Sequence, residues 1–367
     1  MTGNFIKGLD LCEQFFNDIA KPVLNKHFSS TTYSAGLIGY GSDVLGFDDE
    51  ISTDHMWGPR FYLFLREKDI TLKNEILDTF AKEFPYEYKG YSVNFSTPGL
   101  NDGGIRQPEF ISNGVVSPLV FIHTISEYLN TYLGVGNFDN LSELDWLTFS
   151  EHRLLTLTSG KLFLDGLNIH DLLEKTNFYP ESVKLFLIAS NWSLIAEEQA
   201  FVRRCYDVGD ELGSVLACSR IAERLIRLSF LYCNQYAPYS KWFGKAFGLL
   251  PIDKTIKTTI FNAVTATNIE DRENRIVLAQ KLLADLHNKL KITEFVNVDI
   301  ESYYGRNIKV IFADKLFDAV AKRLKGTPLA GYPFIGTMSE VSNFVTLSDE
   351  PKYIENIKAL YIGHNQN

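Results

Sequence analysis

Two short apolar runs, Tyr33 to Ile38 and Phe61 to Leu65, bracket the most restrictive stretch of this sequence. Between them stand Gly39-Tyr40-Gly41-Ser42 and then Asp54-His55-Met56-Trp57-Gly58-Pro59-Arg60. Each run reads as a buried strand, because a brief unbroken apolar run bounded by turn residues fits a sheet interior. A tight glycine turn leaving the first strand lets backbone N–H groups approach an anion closely. Asp54 then sits at the mouth of the second strand. Residues i and i+2 on a strand share a face, so acids at that spacing share one cation. Magnesium prefers such oxygen ligands, with phosphates completing its shell. Here position i+2 is Met56, whose thioether is a poor ligand for magnesium.

The chain has 367 residues, of which 45% are hydrophobic, enough to bury a core in each of two or three domains. A net charge of -9 and a pI near 5.4 argue against a general nucleic-acid or anionic-membrane surface, while leaving room for a local basic pocket. Cys12, Cys205, Cys218 and Cys233 show no paired metal-ligand spacing and read as reduced thiols of a cytoplasmic protein. The N-terminus lacks the pattern of a signal peptide. No window of about 18 apolar residues predicts a membrane span, so no membrane partner is expected. Internal repeats and low-complexity tracts are not evident.

Taken in order, Phe5 to Phe28 predicts a helix that Pro22 kinks. The segment Val44 to Ser52, with Asp48, Asp49 and Glu50, reads first as a solvated acidic loop and otherwise as a source of further metal ligands. Thr71 to Phe84 predicts an amphipathic helix, Tyr91 to Phe95 a strand, and Ser96 to Gly114 a long loop near an acceptor substrate. A third strand over Ser117 to Thr124 ends at His123, which is either a base or ligand, or a structural residue. A helix from Ile125 to Leu133 follows. From Leu144 the character changes, and helical periodicity dominates Glu181 to Tyr236 and Asp271 to Leu290. A strand-like piece, Ile308 to Phe312, and a helix, Lys315 to Leu324, occupy the tail. The expected class is α+β: a mixed-sheet core over 1–143, an all-helical bundle domain over 144–295, and a strand-helix extension over 296–367. Arg220 and Arg224 share a helix face, either in ion pairs on a solvated surface or reaching phosphate oxygens. In Tyr236-Ala237-Pro238-Tyr239-Ser240-Lys241-Trp242-Phe243, Tyr239 stacks on a base and Lys241 meets a triphosphate, or the segment is an aromatic knot closing the bundle. Arg60 pairs with a phosphate, pairs with Asp54, or caps the sheet edge.

Gly-Ser at a strand end, with a carboxylate at the start of the next strand, resembles the nucleotidyltransferase signature. Gly41-Ser42-Asp43-Val44-Leu45-Gly46-Phe47-Asp48, Ser52-Thr53-Asp54-His55 and Trp57-Gly58-Pro59-Arg60 are similar to the N-terminal signature of one uncharacterised family. Gly209-Asp210-Glu211-Leu212-Gly213 and the segment 237–243 resemble its helical-domain signatures. That family joins a nucleotidyltransferase-like core to a helical domain of unknown function. The resemblance implies a nucleotidyltransferase fold in which Gly41 and Ser42 cradle the phosphates of ATP or another nucleotide triphosphate and Asp54 holds Mg2+. Lys241 and Arg60 would then offset phosphate charge, with His123 or Glu198 as candidate bases. The expected reaction moves a nucleoside monophosphate to a hydroxyl of a small molecule or protein. The family usually carries aspartate or histidine where Met56 stands, and an acid near Phe121. These departures keep a catalytically degenerate nucleotide-binding or protein-interaction member as the other expectation.

Overall fold

Strands β1 (Tyr33–Leu37), β2 (Arg60–Leu65), β3 (Leu119–His123) and β4 (Lys161–Asp165) form a sheet in the order β3-β2-β1-β4. The computed structural model describes residues 5–53, 56–98 and 104–362. β1 runs antiparallel to both neighbours, whereas β2 and β3 are parallel. Side chains alternate across β2 as the period of two requires. Phe61, Leu63 and Leu65 enter a core with Phe15, Phe16 and Phe80. Tyr62 and Phe64 face the other way, with ring centroids 5.1 and 5.4 Å from Tyr128 of the helix Ile125–Leu133. β2 therefore reads as a continuous apolar run because both of its faces are covered.

Contacts divide the chain into two compact units, Met1–Asn140 with Arg153–Asn177, and Leu141–His152 with Phe178–Asn367. In the first, the N-terminal helical stretch is a helix Gly8–Phe15, a π-type turn Phe16–Ala20 and a helix Lys21–His27. Pro22 sits in the first turn of the last piece, where its missing N–H costs nothing, so the break falls before it. The expected strand Tyr91–Phe95 shrinks to Tyr91–Ser92, paired with Glu87–Tyr88. β4, in the stretch after Leu144, pairs with β1 where Gly36 meets the backbone of Lys161 and Leu162.

The second unit is mainly helical. The helix Glu181–Glu198 packs on Glu211–Tyr232 and on Asp314–Arg323, and Lys254–Val264 packs on Ile269–Lys289. A short hairpin, Glu301–Ser302 with Lys309–Val310, lies in the same unit. Among the described residues no helix is long and apolar enough to cross a membrane.

Candidate functional site

The turn after β1 depends on glycine. Gly39 has φ 89° and Gly41 has φ 134°, regions that L side chains rarely adopt. A Cβ on Gly41 would also collide with the Asp43 carboxylate and the Arg60 guanidinium. Arg60 Nη2 donates to both Asp43 oxygens, at 2.8 and 3.0 Å, and to the Tyr40 carbonyl at 3.2 Å. Both side chains of this pair are 1% exposed. Burial is the largest single influence and disfavours the guanidinium's charge, but Asp43, with Tyr40 and Cys12 adding, outweighs it and holds the Arg60 pKa above its ordinary value. Arg60 Nε and Nη1 are buried without a hydrogen-bond partner among the described residues. Arg60, expected at a phosphate, at Asp54 or as a cap of the sheet edge, thus places Nη2 on the inside of the turn.

Asp48 corrects the expectation of a solvated acidic loop. It is buried, accepts from Gly8 N at 2.7 Å and from Trp57 Nε1 at 3.1 Å, and pairs with Lys7 at 3.4 Å. Its neighbours Asp49 and Glu50 are exposed. The half-buried Ser42 accepts from Phe47 N at 2.8 Å through its carbonyl, and Gly39 N donates to Thr156 O at 3.0 Å. The N–H groups of Gly41 and Ser42 donate to no group among the described residues. Cys12 donates from Sγ to Gly58 O at 3.2 Å, and burial pushes its thiol up to about 12, so it stays protonated.

Asp54 and His55 lie outside the described residues. Met56 has φ 48° and donates its N–H to Arg106 O at 3.1 Å. His123 is not brought to the turn. The parallel register sets Arg60 beside Leu119 and Phe64 beside His123. The histidine is therefore at the far end of the sheet, four residues or roughly 13 Å along the strand. Its ring lies 6.4 Å from Tyr62 and 6.5 Å from Tyr128. Burial, with Lys73 adding, lowers its pKa and keeps it neutral at physiological pH. Among the described residues no group of three His, Cys, Asp or Glu side chains is placed to hold a metal ion. Asp43 is taken by Arg60, and Asp48 by Gly8, Trp57 and Lys7.

Tyr239 and Lys241 belong to the second unit. Tyr239 meets His152 edge-on at 4.7 Å between centroids, and the exposed Lys241 puts Nζ 4.9 Å from the Trp242 ring. Arg220 bonds Glu198 at 2.8 Å, while Arg224 approaches the Glu340 carboxylate at 3.6 Å and its carbonyl at 3.3 Å. These arginines, and Glu198 with them, are engaged inside the unit. Tyr239 does line a cavity of about 420 Å³, all of whose described walls come from the second unit.

Glu151, at the start of the helix Glu151–Ser159, is the buried acid of that cavity. Its Oε1 accepts from Ala237 N at 3.0 Å and its Oε2 from Arg227 Nη1 at 3.3 Å. Burial pushes its carboxyl up to about 7 against the opposing pull of Arg227 and the Ala237 N–H, with Glu340 reinforcing the rise. A carboxyl that titrates near neutrality in a cavity is suited to proton transfer or to charge-tuned binding. The sequence carries no sign of it, since a glutamate in a first helical turn is ordinary helix chemistry.

Residues 146–243 match a family model described as a domain of unknown function (DUF4037). The matched span contains Glu151, Glu223, Arg227, Tyr239 and Lys241, as well as the stretches 209–213 and 237–243. A search of curated proteins gives no match.

Proposed function

We propose that the first unit binds a nucleotide triphosphate at the Gly39–Ser42 turn and that the protein transfers its nucleoside monophosphate to a hydroxyl acceptor. The free N–H groups of Gly41 and Ser42, adjacent on a turn only glycine can make, support this reading. Successive amides of this kind suit phosphate oxygens, and the Asp43–Arg60 pair beneath them keeps the loop from collapsing. In the proposed reaction an acceptor hydroxyl gives up its proton to solvent as its oxygen bonds the α-phosphorus, the bond to the bridging oxygen breaks, and pyrophosphate leaves. This chain's part is to hold and orient the phosphates, which is most of what phosphoryl-type transfer demands of a protein. Magnesium, when bound, neutralises phosphate charge, with Asp54 the carboxylate that the sequence offers it. The helical-domain match to an uncharacterised family agrees with the resemblance drawn from the sequence.

Calorimetry with ATP tests the binding step. Wild type should bind, and Gly41→Ala should weaken binding at least about a hundredfold by closing the turn and straining its backbone. Equal affinity in the variant would remove the turn from the site. Incubation with labelled ATP and a metabolite or protein extract then reads whether and where label is transferred.

Met56 favours a second reading, a nucleotide-binding protein without turnover. Its thioether stands where an oxygen ligand is expected, and its N–H is tied to Arg106 O. On that reading magnesium leaves ATP affinity unchanged and label is not transferred. Met56→Asp should then raise affinity in a magnesium titration of the protein. An unchanged titration curve would place residue 56 away from the phosphates.

A further inference from the structure

We infer that the cavity of the second unit binds a neutral polyhydroxylated ring, a monosaccharide or simple glycoside in chemical class. Such a site goes beyond the nucleotide reading and stands without it, because every described residue lining the cavity lies in the second unit.

Hydroxyl groups make up much of the polar lining, and their existing bonds set what they can still do. Ser339 Oγ accepts from Glu151 N at 3.1 Å and Ser342 Oγ accepts from Phe344 N at 3.1 Å, so each keeps its proton to give. Ser219 gives its proton to Val215 O at 2.9 Å and keeps lone pairs to receive. The wall thus presents donors and acceptors together. A sugar hydroxyl both gives and takes a hydrogen bond, whereas an ammonium only donates and an ionised carboxylate only accepts. A ring with several hydroxyls therefore matches this wall in both respects, and a charged group in one.

The ionisable groups of the lining already have partners within the wall. Arg227 donates from Nη1 to Glu151 Oε2 at 3.3 Å, from Nε to Glu223 Oε1 at 3.3 Å, and from Nη2 to the Ser339 carbonyl at 3.2 Å. The other Glu151 oxygen takes the Ala237 N–H at 3.0 Å. Asp349 accepts from Ser348 Oγ at 3.2 Å, and the His152 ring meets that of Tyr239 edge-on. A ligand bringing its own charge would have to displace one of these partners or lose hydration uncompensated, a cost that a neutral ligand does not meet. Ala222, Ile226, Val264 and Val345 supply apolar wall for the C–H faces of a ring. A volume of about 420 Å³ lies within the range of small-molecule pockets.

The test is calorimetry on the full chain with glucose, galactose and mannose, each against its 2-amino and uronic acid counterparts at neutral pH. At least one neutral hexose should bind with a Kd of about 1 mM or tighter, and its two charged counterparts should be at least about tenfold weaker. Ser219→Leu adds bulk to the cavity from the helix Glu211–Tyr232, and Ser342→Leu adds it from the segment after the short helix Met338–Val341. Either should abolish binding while circular dichroism shows wild-type helicity. In the wild type, saturating sugar should slow amide hydrogen exchange in Met338–Val341, beside the lining residues Ser339 and Ser342. No binding of any hexose, an amino sugar or uronic acid binding as tightly as the neutral sugar, unchanged affinity in either folded variant, or unchanged exchange in Met338–Val341 overturns the assignment.

Discussion

At the scale of single residues, the pair Asp43–Arg60 governs the candidate phosphate corner. Each partner is almost wholly removed from water, so neither is tolerable alone. Asp43→Asn retains an acceptor for Arg60 but leaves its charge unbalanced. We expect a loss of about 3–5 kcal/mol in denaturant unfolding, with much of it recovered in the double variant Asp43→Asn/Arg60→Met. A loss under about 1 kcal/mol, the usual value of a surface ion pair, would mean the pair is not desolvated in solution. Asp43 and Asp48 also mark where reading by residue type stops. Both stand in a loop rich in acids, glycine and serine, a composition that suggests solvent exposure. What buries them is the pairing of Asp43 with Arg60 and of Asp48 with Gly8 and Trp57, residues 17, 40 and 9 positions away.

At the scale of elements, β1, β2 and β3 were legible because apolar runs beside glycine and proline admit few alternatives. β4 was not, since Lys161–Asp165 is only partly buried and follows a helix in a stretch whose character turns helical. Its place is fixed by close backbone approach. A Cβ added to Gly36 would lie 2.5 Å from Lys161 O, and one on Gly166 2.5 Å from Tyr33 O. Gly36→Val should therefore push β4 off β1. The expected readout is faster amide hydrogen exchange across Leu162–Leu164, with exchange in β3 unchanged. Protection of β4 equal to wild type would show that the strands adjust around the side chain. His123 shows the same limit for function. Its strand was expected correctly, but parallel pairing with β2 carries its C-terminal end away from the glycine turn.

At the scale of the whole molecule, two buried groups of the second unit give stability opposite slopes with pH. Trp192 Nε1 donates to Tyr232 Oη at 3.0 Å, which meets His287 Nδ1 at 3.2 Å, and His287 Nε2 meets Thr293 Oγ1 at 2.9 Å. Burial, with Arg323 adding, pushes His287 from 6.5 down to about 4. Its contribution is full above 6.5 and lost as pH falls toward 4, where folding must accept a buried imidazolium. Glu151, raised from 4.5 to about 7, contributes fully below 4.5 and loses that contribution as pH rises through 7. Between 4.5 and 6.5 the two slopes oppose each other. Glu151→Gln removes one of them, so its stability relative to wild type should climb with pH across this window, by up to about 1.4 kcal/mol per unit. Denaturation midpoints measured at several pH values check this. A difference curve that is flat, or that falls with rising pH, would mean Glu151 titrates as an exposed acid.

The sequence alone determined the strands that bracket the glycine turn, the need for glycine within it, and the helical character of the long stretch after residue 180. These follow from side-chain periodicity and backbone sterics, which act over a few residues. Tertiary structure alone decided which acids are buried, which end of the sheet His123 occupies, that Arg60 pairs with Asp43, and that Glu151 lines a cavity. Those outcomes depend on register and desolvation, which are set by partners tens of residues distant and leave no mark in local composition.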